Sequence, residues 1–219
     1  LKLENGMYIW VIIINFKKFK LNLIIIKMFL EKFTILFKTL FLMVFFFTTP
    51  LNANSNDSLK ILLNDGGKLI FIRHAYSPGV GDPINFDISD CSTQRNLNDK
   101  GIIQAINIGN FLSINNIKID KVLTSEWCRC KQTAEYVFKT YETKSFLNSF
   151  FSHLFVINKD KQIKELKEYI QIWKSKKNLI LVTHYVTILE VTNFAASSGE
   201  IVVTDKNFNV LAQKKFPIN

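Results

Sequence analysis

Residues Lys68–Ala75 read KLIFIRHA, and residues Asn178–His184 read NLILVTH. Each is a short apolar run that stops at a histidine, and each reads as a buried strand. A third strand is expected at Lys121–Ser125 (KVLTS), which leads on to Arg129. Helical patterns lie between these runs. Asn98 can cap a helix reaching about Leu112, with Ala105, Ile108 and Leu112 on one face. A second helix is expected at Glu126–Thr140. A third, at Asp160–Lys176, places Ile163, Leu166, Ile170 and Trp173 at three- and four-residue spacing. His184–Asn193 reads as a fourth. A short strand is expected at Lys144–Leu147, and a final pair at Glu200–Thr204 and Phe208–Gln213. Leu59–Leu63 is an apolar run closed by the turn cluster Asn64-Asp65-Gly66-Gly67. This alternation predicts an α/β fold. It is a three-layer αβα sandwich with a mostly parallel, doubly wound sheet in a single domain.

Composition agrees with a packed domain. Of 219 residues 48% are hydrophobic, 20 are Phe and only 4 are Pro, which excludes intrinsic disorder. The formal net charge of +10 raises the question of a nucleic-acid partner. Its distribution argues against one: residues 1–53 carry seven Lys and two Glu, half of the excess. Much of the rest is Lys scattered singly, with no basic face interleaved with aromatics.

Residues 1–53 differ from the remainder of the chain. They contain YIWVIIINF (Tyr8–Phe16), a Lys17/Lys18/Lys20 cluster and FTILFKTLFLMVFFF (Phe33–Phe47). Read from Met28, a short basic region with Lys32 and Lys38 precedes an uncharged run, Thr39–Leu51, and then Ala53. That is the layout of a secretory signal peptide cleaved near Ala53. The alternative is an uncleaved membrane anchor. The thirteen uncharged residues would make a helix of about 20 Å, short of the roughly 30 Å hydrocarbon core. Either way the body is expected to be exported, periplasmic or secreted, and to meet a membrane only through this segment. Residues 54–58 are polar and read as a linker, and 59–219 as the domain.

Ligands of such folds bind beyond the carboxyl ends of the strands. There the sequence gathers Arg73 and His74, Arg129, and His184. Two guanidinium groups offer planar forks that match phosphate oxygens. Neutral imidazole is a nucleophile near neutral pH. Cations around phosphorus stabilise the charge that moves between attacking and leaving oxygens. The remaining histidine, His153, has no Cys or carboxylate at ligand spacing, so no metal site is expected. The absence of a Gly-rich phosphate loop argues against a P-loop nucleotide enzyme.

Four ordered segments carry a resemblance. Arg73-His74-Ala75 after its strand is similar to the Arg-His-Gly signature of the histidine phosphatase superfamily, which includes cofactor-dependent phosphoglycerate mutases and many small phosphatases. LNDKGIIQA (Leu97–Ala105) resembles that family's Leu-Ser/Thr-x-x-Gly-x-x-Gln-Ala helix start. SEWCRCKQTA (Ser125–Ala134) resembles its Ser-x-x-x-Arg-Ala-x-Gln-Thr-Ala segment. LVTH (Leu181–His184) resembles its second-histidine strand. The resemblance runs from about residue 68 to 204. It implies that His74 becomes a phosphohistidine, that Arg73 and Arg129 bind the phosphoryl oxygens, and that His184 completes the pocket. Arg95 has a counterpart in some small family phosphatases, where it either lines the pocket or braces the loop. No metal or organic cofactor is implied.

The departures bear on the chemistry. Ala75 replaces the usual Gly. Tyr185-Val186 replaces a common Gly-Gly and narrows the expected pocket. Where the mutases carry a Glu proton donor in a Leu-x-Glu segment, this chain has Leu147-Asn148-Ser149. A leaving alkoxide needs a proton. Asp82, Asp87 and Asp90 lie in the loop after His74, and Asp82 is the expected donor because Gly79 and Gly81 let the backbone fold over the site. The alternative is that Asp82 is a plain turn residue. Cys128 and Cys130 are two apart on one expected helix, so their side chains diverge. Cys130 sits where the family usually has Ala, which leaves two arrangements: a Cys91–Cys128 bond stapling the loop to the Arg129 helix, or three reduced thiols.

The expected activity is hydrolysis of a phosphate monoester through phosphohistidine. The substrate would be a phosphorylated small molecule or macromolecule, reached without a large cap, since 138–160 is too short for one. Two alternatives stand: a phosphoglycerate mutase-like phosphoryl transferase, and a non-catalytic exported phospholigand-binding module.

Overall fold

The computed structural model describes residues 4–47 and 55–218. The chain divides into two compact units, Leu1–Asn52 and Ala53–Asn219. In the first, a single helix, α1 (Glu4–Phe47), runs for 44 residues. Charged residues from Lys17 to Lys38 recur along it. Among the described residues no helix is long and apolar enough to cross a membrane. The expected cleavage point near Ala53 lies outside the described residues.

In the second unit the elements run α2 (Ser55–Asp65), β1 (Leu69–Arg73), α3 (Asp99–Ile114), β2 (Ile119–Thr124), α4 (Cys128–Phe138), β3 (Glu142–Thr143), α5 (Lys159–Ile172), β4 (Asn178–Thr183), α6 (Tyr185–Thr192), β5 (Ile201–Thr204) and β6 (Val210–Lys214). They build one six-stranded sheet in the order β3-β2-β4-β1-β5-β6. The first four strands of that order are parallel, and β5 pairs antiparallel with both β1 and β6. Alternation along each strand sorts the core into two layers. Ile70, Ile72, Ile180 and Val182 face α2, α3 and α4, where they meet Leu63, Ile108 and Ala134. Leu69, Phe71, Leu179 and Leu181 face the other way, onto Leu166 and Ile170 of α5 and Ile188 of α6. The three-layer αβα sandwich with a mostly parallel sheet is therefore present.

Two expectations are corrected. The polar stretch 54–58 reads as a linker, but from Ser55 on it is the first turn of α2. Leu59 and Leu63, four apart, bury one face of that helix and so draw the polar turn before them into it. Lys144–Leu147 reads as a strand. The strand is instead Glu142–Thr143, and Ser145–Leu147 is a turn of 3-10 helix. Phe146 and Leu147 are both buried, which a strand with alternating faces on this sheet edge would not achieve.

Candidate active site

Strands β1 and β4 are neighbours, with Arg73 opposite Thr183. The chain leaves both strands at the same level, so His74 and His184 emerge side by side. The amide of His74 donates to the Thr183 carbonyl (2.9 Å), which carries the pairing one residue past the strand. The two imidazoles lie edge to face with ring centroids 5.4 Å apart. Both are almost fully buried, 4% and 3% exposed.

The tautomers follow from their partners. His74 Nδ1 lies 2.9 Å from the Ala75 carbonyl, which can only accept. Nδ1 therefore carries the proton and Nε2 keeps its lone pair. His184 Nε2 lies 2.9 Å from the Ser125 hydroxyl. Asn148 sets the direction of that bond. Its Oδ1 accepts from the Glu126 amide (2.9 Å) and its Nδ2 donates to the Glu126 carboxylate (2.6 Å), so its orientation is unambiguous. Ser125 then donates to Asn148 Oδ1 (3.0 Å) and accepts from His184. Nδ1 of His184 is left unprotonated, 3.4 Å from an Arg129 nitrogen.

Burial first, and then the nearby Arg129, hold His74 well below the ordinary imidazole range. His184 is depressed for the same reasons, with His74, Arg73 and Arg95 adding to them. Both rings are therefore neutral at neutral pH. Burial also lowers Arg73 and Arg95, and the neighbouring Arg129 adds to that effect. Three arginines facing one another in this way leave room for an anion.

All six residues singled out in the sequence, Arg73, His74, Asp82, Arg95, Arg129 and His184, line one open cleft of ≈ 280 Å³. That is at the small end for a ligand site. Arg73 donates to the Ala196 carbonyl (2.9 Å) and lies over the Tyr185 ring. Tyr185 and Val186 both line the cleft, as their replacement of glycines suggests. Arg73 Nε, Arg129 Nε and the Ser77 hydroxyl are buried without a hydrogen-bond partner. An unpaired buried donor is costly, and each of these residues lines the cleft.

Arg95 both lines the cleft and braces the loop. Its guanidinium donates to the carbonyls of Ser77 (2.6 Å), Gly79 (2.7 Å) and Gly81 (2.6 Å). Gly79 and Gly81 take positive φ of 90° and 70°, which glycine tolerates best, and this folds the loop over the site. At its tip Asp82 enters the cleft. There it accepts from Arg129 (2.6 Å to Oδ1, 3.4 Å to Oδ2) and from Trp127 Nε1 (3.1 Å). Asp82 is thus no plain turn residue, and in this state it is an acceptor bound to Arg129.

The motif residues hold this arrangement. Gln104 accepts from the Tyr76 amide (2.9 Å) and donates to the carbonyls of Ser198 (2.9 Å) and Phe216 (2.7 Å). Gly101 lets α3 approach the Tyr76 carbonyl, where any side chain would collide. Thr133 accepts from the Ala75 amide (2.9 Å), and Gln132 from the Leu97 amide (2.9 Å). Cys91 and Cys128 form a disulfide, and Cys130 is a buried free thiol whose pKa burial pushes up to about 12. Sequence reasoning missed Trp127 and Asn148. Trp127 packs its ring against His184 (5.4 Å) as well as binding Asp82. Its place two residues before Arg129 was the available signal. Ser149 lines the cleft where a Leu-x-Glu acid would have stood. Among the described residues no cluster of side chains is suited to a metal ion.

A structure of a candidate alpha-ribazole-5'-P phosphatase from Escherichia coli matches with a TM-score of 0.52 at 16% identity, covering 70% of this chain and 98% of that one. The two chains share their fold. Other similar structures are the protein histidine phosphatase SixA complexed with tungstate (TM-score 0.47, 16% identity, 67% of this chain and 95% of that one) and a phosphoglycerate mutase from Thermus thermophilus (0.47, 12%, 68% and 99%). No protein-family model matches the sequence, and neither does any curated protein. At these identities the likeness concerns the fold.

Proposed function

We propose that this chain is a phosphatase that hydrolyses a phosphate monoester through a phosphohistidine on His74. One observation carries the reading: two buried, neutral imidazoles at 5.4 Å sit in a cleft with three arginines. In this proposal His74 Nε2 attacks phosphorus while its Nδ1–H stays on the Ala75 carbonyl. Arg73 and Arg129 hold the equatorial oxygens, His184 completes the pocket with its Nδ1 turned to Arg129, and Arg95 keeps the loop in shape. Asp82 is the proton donor to the leaving group. Ser149, which cannot serve as an acid where the mutases have one, favours hydrolysis over a mutase reaction. The chemistry asks for no metal or organic cofactor. The substrate is phosphorylated, and the open cleft admits either a small ester or a group on a macromolecule.

The domain is further proposed to be exported. The Cys91–Cys128 disulfide supports this, because such bonds persist in oxidising compartments. The test is a single-turnover reaction of the full chain with 4-nitrophenyl phosphate, with the adduct trapped in base. An acid-labile, base-stable phosphoryl adduct that disappears in His74→Ala is expected. Tight phosphate binding with neither adduct nor turnover would instead mark a phospholigand-binding module.

A further inference from the structure

The proposed site has an unusual resting state, because its principal phosphate-binding arginine is already occupied. Arg129 holds Asp82 through two nitrogens, and both partners are shielded, with side chains 4% and 11% exposed. Trp127 adds a third donor to the same carboxylate. Two oxygens in one plane, held by a guanidinium fork, reproduce the contacts a phosphoryl group would make there. A phosphoryl group and the Asp82 carboxylate cannot both take that fork.

We infer that Asp82 is an internal stand-in for the phosphoryl group, which the substrate displaces from Arg129 and thereby turns into the proton donor. The inference rests on the phosphatase reading above. The loop is built for such a movement, since the glycine at 81 immediately before Asp82 has no side chain to reorient and nothing lies within 4 Å of its Cβ position. Arg95 grips the carbonyls of Ser77, Pro78, Gly79 and Gly81, while the hydrogen bonds to the Asp82 carboxylate come from Arg129 and Trp127. The charged and titratable groups that face Asp82 are Arg129 and Cys130 from α4 and Arg95 from the loop, and His184 lies on the far side of Arg129. Once a phosphoryl dianion has taken Arg129, the carboxylate loses its main counter-ion and gains an anionic neighbour. Both changes favour uptake of one proton.

The steps then balance. His74 Nε2 forms a bond to phosphorus as the bond from phosphorus to the leaving oxygen breaks, and the Asp82 proton goes to that oxygen. In the second step water attacks phosphorus and gives its proton to Asp82, and the bond from phosphorus to Nε2 breaks. Phosphate leaves, Asp82 sheds its proton to solvent and returns to Arg129.

The experiment uses the full chain with inorganic phosphate as the binding probe. Calorimetry in two buffers of different ionisation enthalpy counts protons taken up on binding. Wild type is expected to take up about one proton more than Asp82→Asn. That variant, freed of the competing carboxylate, is expected to bind phosphate about tenfold tighter or more. Its kcat should fall by about 10²–10⁴ on β-glycerophosphate, whose alkoxide needs a proton, and by less than about tenfold on 4-nitrophenyl phosphate. Wild type that binds phosphate without proton uptake overturns the inference, and this arm needs no variant to fold. So does Asp82→Asn that binds phosphate no tighter, or that loses activity equally on both substrates. Failure of the phosphatase reading looks different: wild type neither hydrolyses 4-nitrophenyl phosphate nor forms an adduct on His74.

Discussion

The two histidines and Asp82 reach the same cleft by opposite means. His74 and His184 stand at the ends of adjacent parallel strands, and four of the five residues of β1 are completely buried. Their separation is a property of the sheet. Asp82 arrives on a loop that follows Ala75, shaped by two positive-φ glycines, the Arg95 grip and the Cys91–Cys128 bond. On the proposed reading, the difference gives the covalent chemistry to the sheet and the proton to the loop. A nucleophile displaced by 1 Å loses its advantage, whereas a proton donor has to move between states.

The comparison can be broken first at its rigid end. His74→Ala should lower kcat by at least about 10⁴, with no trapped adduct, while near-ultraviolet circular dichroism stays native. Arg129→Ala touches both regions. It should cost roughly 10²–10³ in kcat/KM for 4-nitrophenyl phosphate through lost charge stabilisation, measured under subsaturating conditions.

Cutting the staple tests the adjustable end. Cys91→Ser opens a bridge between residues 37 apart and should cost about 2–4 kcal/mol in urea unfolding. The adduct on His74 should still form, because the strand ends do not depend on the loop. Loss of the adduct in a folded Cys91→Ser protein would show that the two regions are not independent.

Acid sharpens the contrast again. His74 and His184 have folded-state pKa values well below 6.5, so below pH 6.5 the unfolded chain binds more protons than the folded one. Stability should therefore be fully present above pH 6.5. It should fall by about 1.4 kcal/mol per histidine for each unit below that, until the folded-state values are reached. Chemical denaturation between pH 7 and 5 measures it. The acid limb of kcat/KM, which reports the free enzyme, should lie below pH 6.5.

The smallest effect is expected at Gly81. Its φ of 70° disfavours a side chain although the space around it is open. Gly81→Ala should cost about 1–2 kcal/mol by thermal unfolding. Gly101→Ala, which drives a methyl into the Tyr76 carbonyl, should cost more.

The rigid end was the legible one. Apolar runs that stop at Arg73-His74 and at Thr183-His184 announce buried strands with chemistry at their ends, and the sheet places them side by side. Arg129 was legible because helix α4 starts just after β2. Asp82 was legible as a site residue through its flanking glycines, but its pairing with Arg129 was not, since partners 47 positions apart carry no local signal. The chain Ser125–Asn148–Glu126 that sets the His184 tautomer was hidden for the same reason. At Ser55–Ser58 polar composition pointed to a linker, and only the burial of Leu59 and Leu63 makes it helix. Local patterns report burial and periodicity, while contacts between distant polar side chains are decided by tertiary packing.

The sheet order has a further consequence, for the time course of folding. Strand β1 is the first to be synthesised and lies between β4 and β5, so Leu69 waits for Leu179 on one side and Thr204 on the other. Until those segments exist, the five-residue strand that leads into His74 has neither of its sheet neighbours. Long-range pairings of this kind make folding slow and leave strand edges exposed meanwhile. The strand made first is therefore among those completed late, and its two edges stay open while most of the chain is synthesised.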